Sequence, residues 1–392
     1  MARALAGRLA APRFVFANAE RCIVAAGIAE ERQGPDFDVV DAAADGRLWF
    51  VRAPFDVQRA WPGRAGVSVW RPRSAFVIDE RGVSHVDADG RSTDVSGDLP
   101  QLPAALPISV SSPLSSSSGE GGGGVRSDVD DASDVDAYEA AVGVALAHIA
   151  AGEGSKLVVA RRARLSLPAR PAFDALIGAL IEDFAERSTV YGIENDDDDL
   201  FFGASPEQLL RRTGDAIDVD AVAGTRPVAE GAALLESEKD KREHRHVVEG
   251  IVAALAPLVT STTVSPLRVV ERGGLAHLAC SVGARGSGTL SALLAALHPT
   301  PATAGTPTST ATRLLRSIEG FDRGDYGGVV GVVDGSRAVF AVCLRAARIC
   351  QGEAWVYAGA GVVDGSDPAS EWRETSHKAR VLLPAIARAL RC

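Results

Sequence analysis

The stretch from Trp355 to Lys378, WVYAGAGVVDGSDPASEWRETSHK, constrains this chain most, because an apolar strand, two close glycines, a helix start and paired carboxylates follow one another directly. Alternation in Trp355, Val356 and Tyr357 predicts a strand, and Gly359 and Gly361 let backbone approach a ligand where a side chain would obstruct. Ser366 or Asp367 can cap the helix that follows. Pro368 suits its first turn, where the missing N–H has no intrahelical acceptor anyway. Helical spacing puts Glu371, Glu374 and Lys378 on one face, and two carboxylates there can hold a hard divalent cation. Taken alone, the helix reads rather as a solvated face with an ordinary Glu to Lys pair, worth about 0.3–0.5 kcal/mol. A second helix with a matching acidic face reverses that preference.

That second face is predicted in GAALLESEKDKREHRHVVEGIVAAL, which reads as one long polar helix. Asp240 and Glu243 recur three residues apart with His244 beside them, and Val247 and Ile251 form a buried stripe. Upstream, FVFANAERCIVA and RLWFVRAPF predict strands, so the first third is mostly sheet. Tyr138, Val142, Leu146 and Ile149 recur at helical spacing, with Ser133 or Asp134 as cap and Gly152 as stop. KLVVARRARLSL begins the next strand at Lys156. A second amphipathic helix runs from Phe173 to Phe184, followed by short strands near 189–193 and 200–204. FFGASPEQLL turns out of the second of these and presents Glu207. AIDVDAVAGTRP brings Gly224, Thr225 and Arg226 to a turn, HLACSVGARG places His277 in a strand, and LHPTPATAGTP places His298 in a proline-rich turn. FDRGDYGGVVGVVDGSRAVFAVCLRAARI reads as a glycine-led hairpin ending near Arg345.

Between these segments, residues 106–131 are Ser-, Gly- and Asp-rich and leave nothing to bury, which predicts a flexible stretch that either joins two domains or is an expanded surface loop, the loop being preferred because the later segments need the earlier strands as sheet partners. The net charge of -10 argues against a nucleic-acid or anionic-membrane partner, and an anionic small substrate would need a local cationic pocket. Five cysteines, scattered and never in a CxxC pair, indicate neither a disulfide framework nor a zinc site, so a reducing cytoplasm is expected. No apolar run approaches the ~20 residues that span a bilayer.

The order KLVVAR, FFGASPEQLL, AGTRP, EKDKREH, HL, LHPTPATAGTP, DYGGVVG, LRAAR, AGAGVV and EWRETSHK resembles the chorismate-utilising enzymes, which include isochorismate, salicylate, anthranilate and aminodeoxychorismate synthases. The resemblance is strong over 133–390 and weaker in the N-terminal strands. It implies a single α/β (α+β) domain over 1–392, with two large antiparallel sheets layered face to face, helices outside and the site between sheet ends and helices. It further implies Mg²⁺ held by Glu243 and Glu374, with Asp240 and Glu371 in support. Such carboxylates contribute nothing to a core, so their removal is expected to spare the fold. Arg345 would clamp the enolpyruvyl carboxylate, helped by backbone N–H groups at Gly359 and Gly361. Gly224 and Thr225 would line the ring, Lys378 would lie near the ring carboxylate, and His277 would touch a ring hydroxyl, whereas His298 is structural.

Lys156 matches the position where water-using members carry the base, and Glu207 matches the acid. Ammonia-using members generally lack that lysine and draw ammonia from an amidotransferase, so none is expected as a partner here, and the chain is expected to be a monomer. Isochorismate synthase is the reading the HPTP segment resembles most. Salicylate synthase, which adds pyruvate elimination, is its nearest competitor, and a chorismate-binding protein without catalysis is the alternative of another class.

Overall fold

The computed structural model describes residues 10–57, 66–95, 125–127, 129, 131–195, 198–272 and 274–391. Most of the expected insertion at 106–131 therefore lies outside the described residues. Among the described residues all strand pairings are antiparallel. One run of strands goes from Lys156–Ser166 through Glu353–Val363, Ala346–Cys350, Asp199–Ser205, Thr189–Glu194 and Arg13–Ala17 to Cys22–Gly34. A second run goes from Val67–Asp79 through Leu48–Ala53, Val329–Asp334, Arg337–Val342, Gln208–Thr213 and Ala216–Arg226 to Leu275–Arg285. Cys22–Gly34 and Val67–Asp79 pair with each other along their length and join the two runs. The sequence reads the former as a short strand ending near residue 25, but it continues to Gly34.

Side-chain alternation explains the layers. Phe14 and Phe16 point into a core shared with Phe50, Val330, Val332 and Val339 of the second run, while Val15 and Ala17 point to the opposite side. The shared core lies between the sheets, where Phe14 and Trp70 stack at 5.1 Å between ring centroids. Each aromatic buried there contributes about 1.5–3 kcal/mol from area alone. On the outer face of one sheet the helix Phe173–Phe184 packs Leu176, Ile177 and Leu180. On the other, the helices Glu238–Leu255 and Leu290–Leu297 pack Val247, Ile251, Leu293 and Leu294. Two layered antiparallel sheets with helices outside is the expected architecture.

The long polar helix expected before residue 255 is two elements. A 3₁₀ helix covers Val228–Leu235, and the α-helix starts at Glu238 because the Ser237 side chain accepts the Asp240 N–H and caps a new N-terminus. Among the described residues no helix is long and apolar enough to cross a membrane.

Candidate active site

Lys156 heads the strand Lys156–Ser166 opposite Val363 of the strand Glu353–Val363. Leu157 and Val159 face a cluster with Tyr138 and Leu314, and Ala160 faces the space between the sheets, so alternation turns Lys156 toward that space. It is 1% exposed, and its Nζ lies 2.9 Å from Glu243 Oε1. Gly361 makes the contact sterically feasible. A Cβ there would sit 2.3 Å from Glu243 Oε1 and 2.9 Å from Lys156 Cε.

The four candidate metal carboxylates, Asp240, Glu243, Glu371 and Glu374, each meet a cation. Glu243 pairs with Lys156 at 2.9 Å, Glu374 with Lys378 at 2.6 Å, Glu371 with Lys239 at 2.7 Å and Asp240 with Arg226 at 3.0 Å. The helix Pro368–Arg380 aims its pair because Asp367 accepts the Ser370 N–H at 2.9 Å and Pro368 occupies the first turn. Burial and the neighbouring Glu374 charge push the Glu371 carboxyl up, against Lys239 and Ser366. At Glu243 burial works in the same sense, yet Lys156, Lys378 and Lys239 hold the carboxyl below its usual range. Lys239 feels Glu371, Glu374 and Glu243 together. Sequence reasoning missed Lys239, because EKDKREH does not show which of its lysines turns inward.

Among the described residues, no group of three acidic, His or Cys side chains stands ready as a complete metal site. The donor chemistry still fits a hard divalent cation, since oxygen ligands crowd closely enough for Glu374 to disfavour ionisation of Glu371. Glu243 and Glu374 would hold such an ion, with Glu371 beside them. Asp240 is engaged by Arg226 and lies against Gly224, where a Cβ would come 3.2 Å from Asp240 Cβ.

Glu207 is 3% exposed in the turn after Asp199–Ser205. Its backbone N–H donates to Ser205 Oγ at 3.2 Å. Burial, and then the charge of Asp220, push its carboxyl up to about 8, against the opposing pull of Lys156, Thr300 and Arg272. It is thus a carboxylic acid that keeps its proton at neutral pH. Thr300, whose side chain acts on the Glu207 carboxyl, belongs to the HPTP segment, but no periodicity or charge in that turn marks it.

Arg345 sits in left-handed backbone at φ 46 and is buried, with Nε lacking any hydrogen-bond partner. Among the described residues no carboxylate lies within ion-pair distance of its guanidinium, and burial lowers its pKa. A buried, uncompensated guanidinium favours an anionic ligand. His277 is buried beside Arg345. Its Nδ1 lies 3.0 Å from Thr225 Oγ1, while its Nε2 lies 3.2 Å from Arg272 O and 3.4 Å from Arg345 Nη2. Both ring nitrogens have partners within the protein, which ties His277 to Thr225 and to the Arg272 backbone and sets it beside Arg345. Burial and the Arg345 charge keep it neutral. Lys378 Nζ donates to Gly359 O at 2.8 Å, and Tyr326 packs against Gly359. His298 Nε2 meets Pro54 O at 3.0 Å and Phe55 O at 3.1 Å, a structural tie.

The family model described as chorismate binding enzyme matches residues 121–387. The chain belongs to that family. Isochorismate synthase DhbC of Bacillus subtilis is 35% identical over 267 residues, covering 64% of this chain and 67% of the relative. The salicylate biosynthesis isochorismate synthase of Pseudomonas aeruginosa is 35% identical over 272 residues, covering 64% of this chain and 54% of that relative. Against the second, the matched region spans little more than half of the relative's length. The solved structure of MenF, the menaquinone-specific isochorismate synthase of Escherichia coli, superposes with a TM-score of 0.77 at 25% identity, over 98% of this chain and 90% of that one. In this chorismate-binding chain the matched region holds Lys156, Glu207, Glu243, Arg345 and Glu374. The strands that complete the sheets from the N-terminal side lie outside it.

Proposed function

We propose that this chain is an isochorismate synthase, which moves the hydroxyl of chorismate from C4 to C2. The observation that carries the reading is that Lys156, Glu207 and Arg345 are all buried, with both cations acting on the Glu207 carboxyl and burial pushing that carboxyl up. In the proposed reaction a water oxygen bonds to C2 and loses a proton to Lys156 Nζ. The ring double bond shifts, and the C4–O bond breaks as Glu207 protonates the departing oxygen, so water leaves as water entered. Nζ, an ammonium in its pair with Glu243, has to leave that carboxylate and give up its extra proton, to the carboxylate or to solvent, before it can take the proton of the attacking water. A correctly placed acid or base of this kind typically contributes about 10²–10⁴-fold.

Arg345 would receive the enolpyruvyl carboxylate, because a bidentate guanidinium fixes orientation as well as charge. When bound between Glu243 and Glu374, Mg²⁺ would offset the repulsion between those carboxylates and the ring carboxylate of the substrate. Gly224 and Thr225 would line the ring, and Lys378 would stay beside Glu374. Water as nucleophile requires no amidotransferase partner, and the chain is read as a monomer. Free Cys22, Cys280 and Cys343 support a cytoplasmic setting. The relatives' names support the activity but not one downstream pathway for this chain. Incubating the purified protein with chorismate and Mg²⁺ and resolving the products tests the reading, which expects isochorismate, while unchanged chorismate would end it.

A further inference from the structure

Glu207 is gripped through the peptides on either side of it. The Gln208 N–H donates to Asp220 Oδ2 at 3.1 Å. Arg272 Nη1 donates to that same oxygen and, at 3.0 Å, to Pro206 O. Asp220 lies on the strand Ala216–Arg226 and Arg272 ends the strand Arg268–Arg272, so two further strands converge on the turn that carries the acid. Both side chains are partly solvated, at 14% and 22% exposure. An ion pair so placed adds little to stability by itself, and its consequence lies in what it holds.

The same arginine reaches the substrate clamp through its backbone. Arg272 O lies 3.2 Å from His277 Nε2, and His277 in turn contacts Thr225 and Arg345. We propose that Asp220 and Arg272 form one positioning unit, which fixes Glu207 from both flanking peptides and ties the acid to the Arg345 clamp. Neither residue touches the reacting atoms. Their charges act on Glu207 as well, Asp220 favouring retention of its proton and Arg272 opposing it, and Lys156 and Arg345 also interact with the carboxyl. The two members of the pair therefore have opposite electrostatic effects and a shared mechanical one.

The inference rests on Glu207 being the acid of the proposed reaction, and its test can be read without turnover. With the glutamate side-chain carboxyls labelled with ¹³C, and the Glu207 signal assigned by its loss in Glu207→Gln, the carboxyl is titrated in the free protein. Asp220→Asn is expected to move the midpoint down by about one unit, and Arg272→Met to move it up, because each removes a neighbouring charge of opposite sign. Both should also cut kcat by about tenfold or more through misplacement of the acid. Arg272→Lys should restore most of the wild-type midpoint and kcat, since an ammonium can serve both Asp220 and Pro206 O, and it provides the comparison should Arg272→Met fail to fold. Midpoints that stay at the wild-type value, or move in the same direction in both variants, would overturn the unit. Correct opposite shifts in a protein that leaves chorismate unchanged would sustain the carboxyl network while removing the proposed reaction, so the two failures are separable.

Discussion

Lys156 Nζ lies 2.9 Å from Glu243 Oε1 in a pair whose lysine side chain is 1% exposed, so the proposed base and a proposed metal carboxylate neutralise each other inside the protein. The sequence alone suggests that a metal-holding carboxylate can be removed without cost to the fold. The pairing argues otherwise for Glu243. Glu243→Ala leaves a buried ammonium without its partner, a change that typically costs about 3–5 kcal/mol. Glu374→Ala should cost far less, because Lys378 keeps its bond to Gly359 O and is 13% exposed. Thermal unfolding in EDTA checks this: Glu243→Ala should melt well below Glu374→Ala, and equal melting would show that the pair does not support the fold. Both variants should lose Mg²⁺-dependent turnover.

Gly361→Ala tests the packing around the same pair. The added methyl would meet Glu243 Oε1 at 2.3 Å and Lys156 Cε at 2.9 Å, and only movement of one of those side chains relieves it. We expect kcat to fall about 10²-fold, the usual scale for misplaced catalytic groups. Turnover near wild type would mean that the pair shifts freely.

Glu207 gives a pH signature with a definite sign. Its carboxyl is raised from 4.5 to about 8 in the folded protein, so between those values the folded state holds a proton that the unfolded state releases. Its contribution to stability is therefore complete below the unfolded pKa and is lost as pH rises through about 8. Glu207→Gln cannot ionise, so it should gain stability relative to wild type as pH rises through that window, while losing about 10²-fold or more in kcat. Denaturant unfolding across the window, with kcat measured alongside, reads both effects. A wild-type activity limb that falls well below neutral pH would contradict an acid protonated at pH 7.

Arg345→Lys keeps the charge but not the fork. With no carboxylate of the described residues within ion-pair distance of the guanidinium, the change should act mainly on the ligand, raising KM and lowering kcat/KM strongly. Steady-state kinetics near wild type would remove Arg345 from the clamp.

What the sequence makes legible is what local chemistry dictates. The strand, the glycines and the capped helix around Asp367 and Pro368 follow from turn and cap preferences, and the shared face of Glu371, Glu374 and Lys378 follows from the helical period. Partnership across distant segments is not legible in this way. Lys239 and Lys241 look alike in EKDKREH, yet one pairs with Glu371 of another helix and the other with Glu238 on the surface. Asp220 is one acidic residue of the alternating IDVDAV, and nothing local reveals Arg272 as its partner. The break before Glu238 is partly legible, because Ser237 and Asp240 have cap spacing, but the helix-forming residues of GAALLE mask it.

The most direct measurement sets wild type and Lys156→Ala side by side, with chorismate and Mg²⁺ supplied, the products resolved and substrate affinity determined separately. The account expects isochorismate alone from wild type, and from Lys156→Ala an almost unchanged affinity for chorismate with a loss of about 10²-fold or more in kcat. Salicylate with pyruvate from wild type, an aminated ring when ammonia is supplied, or unimpaired turnover by Lys156→Ala would contradict it.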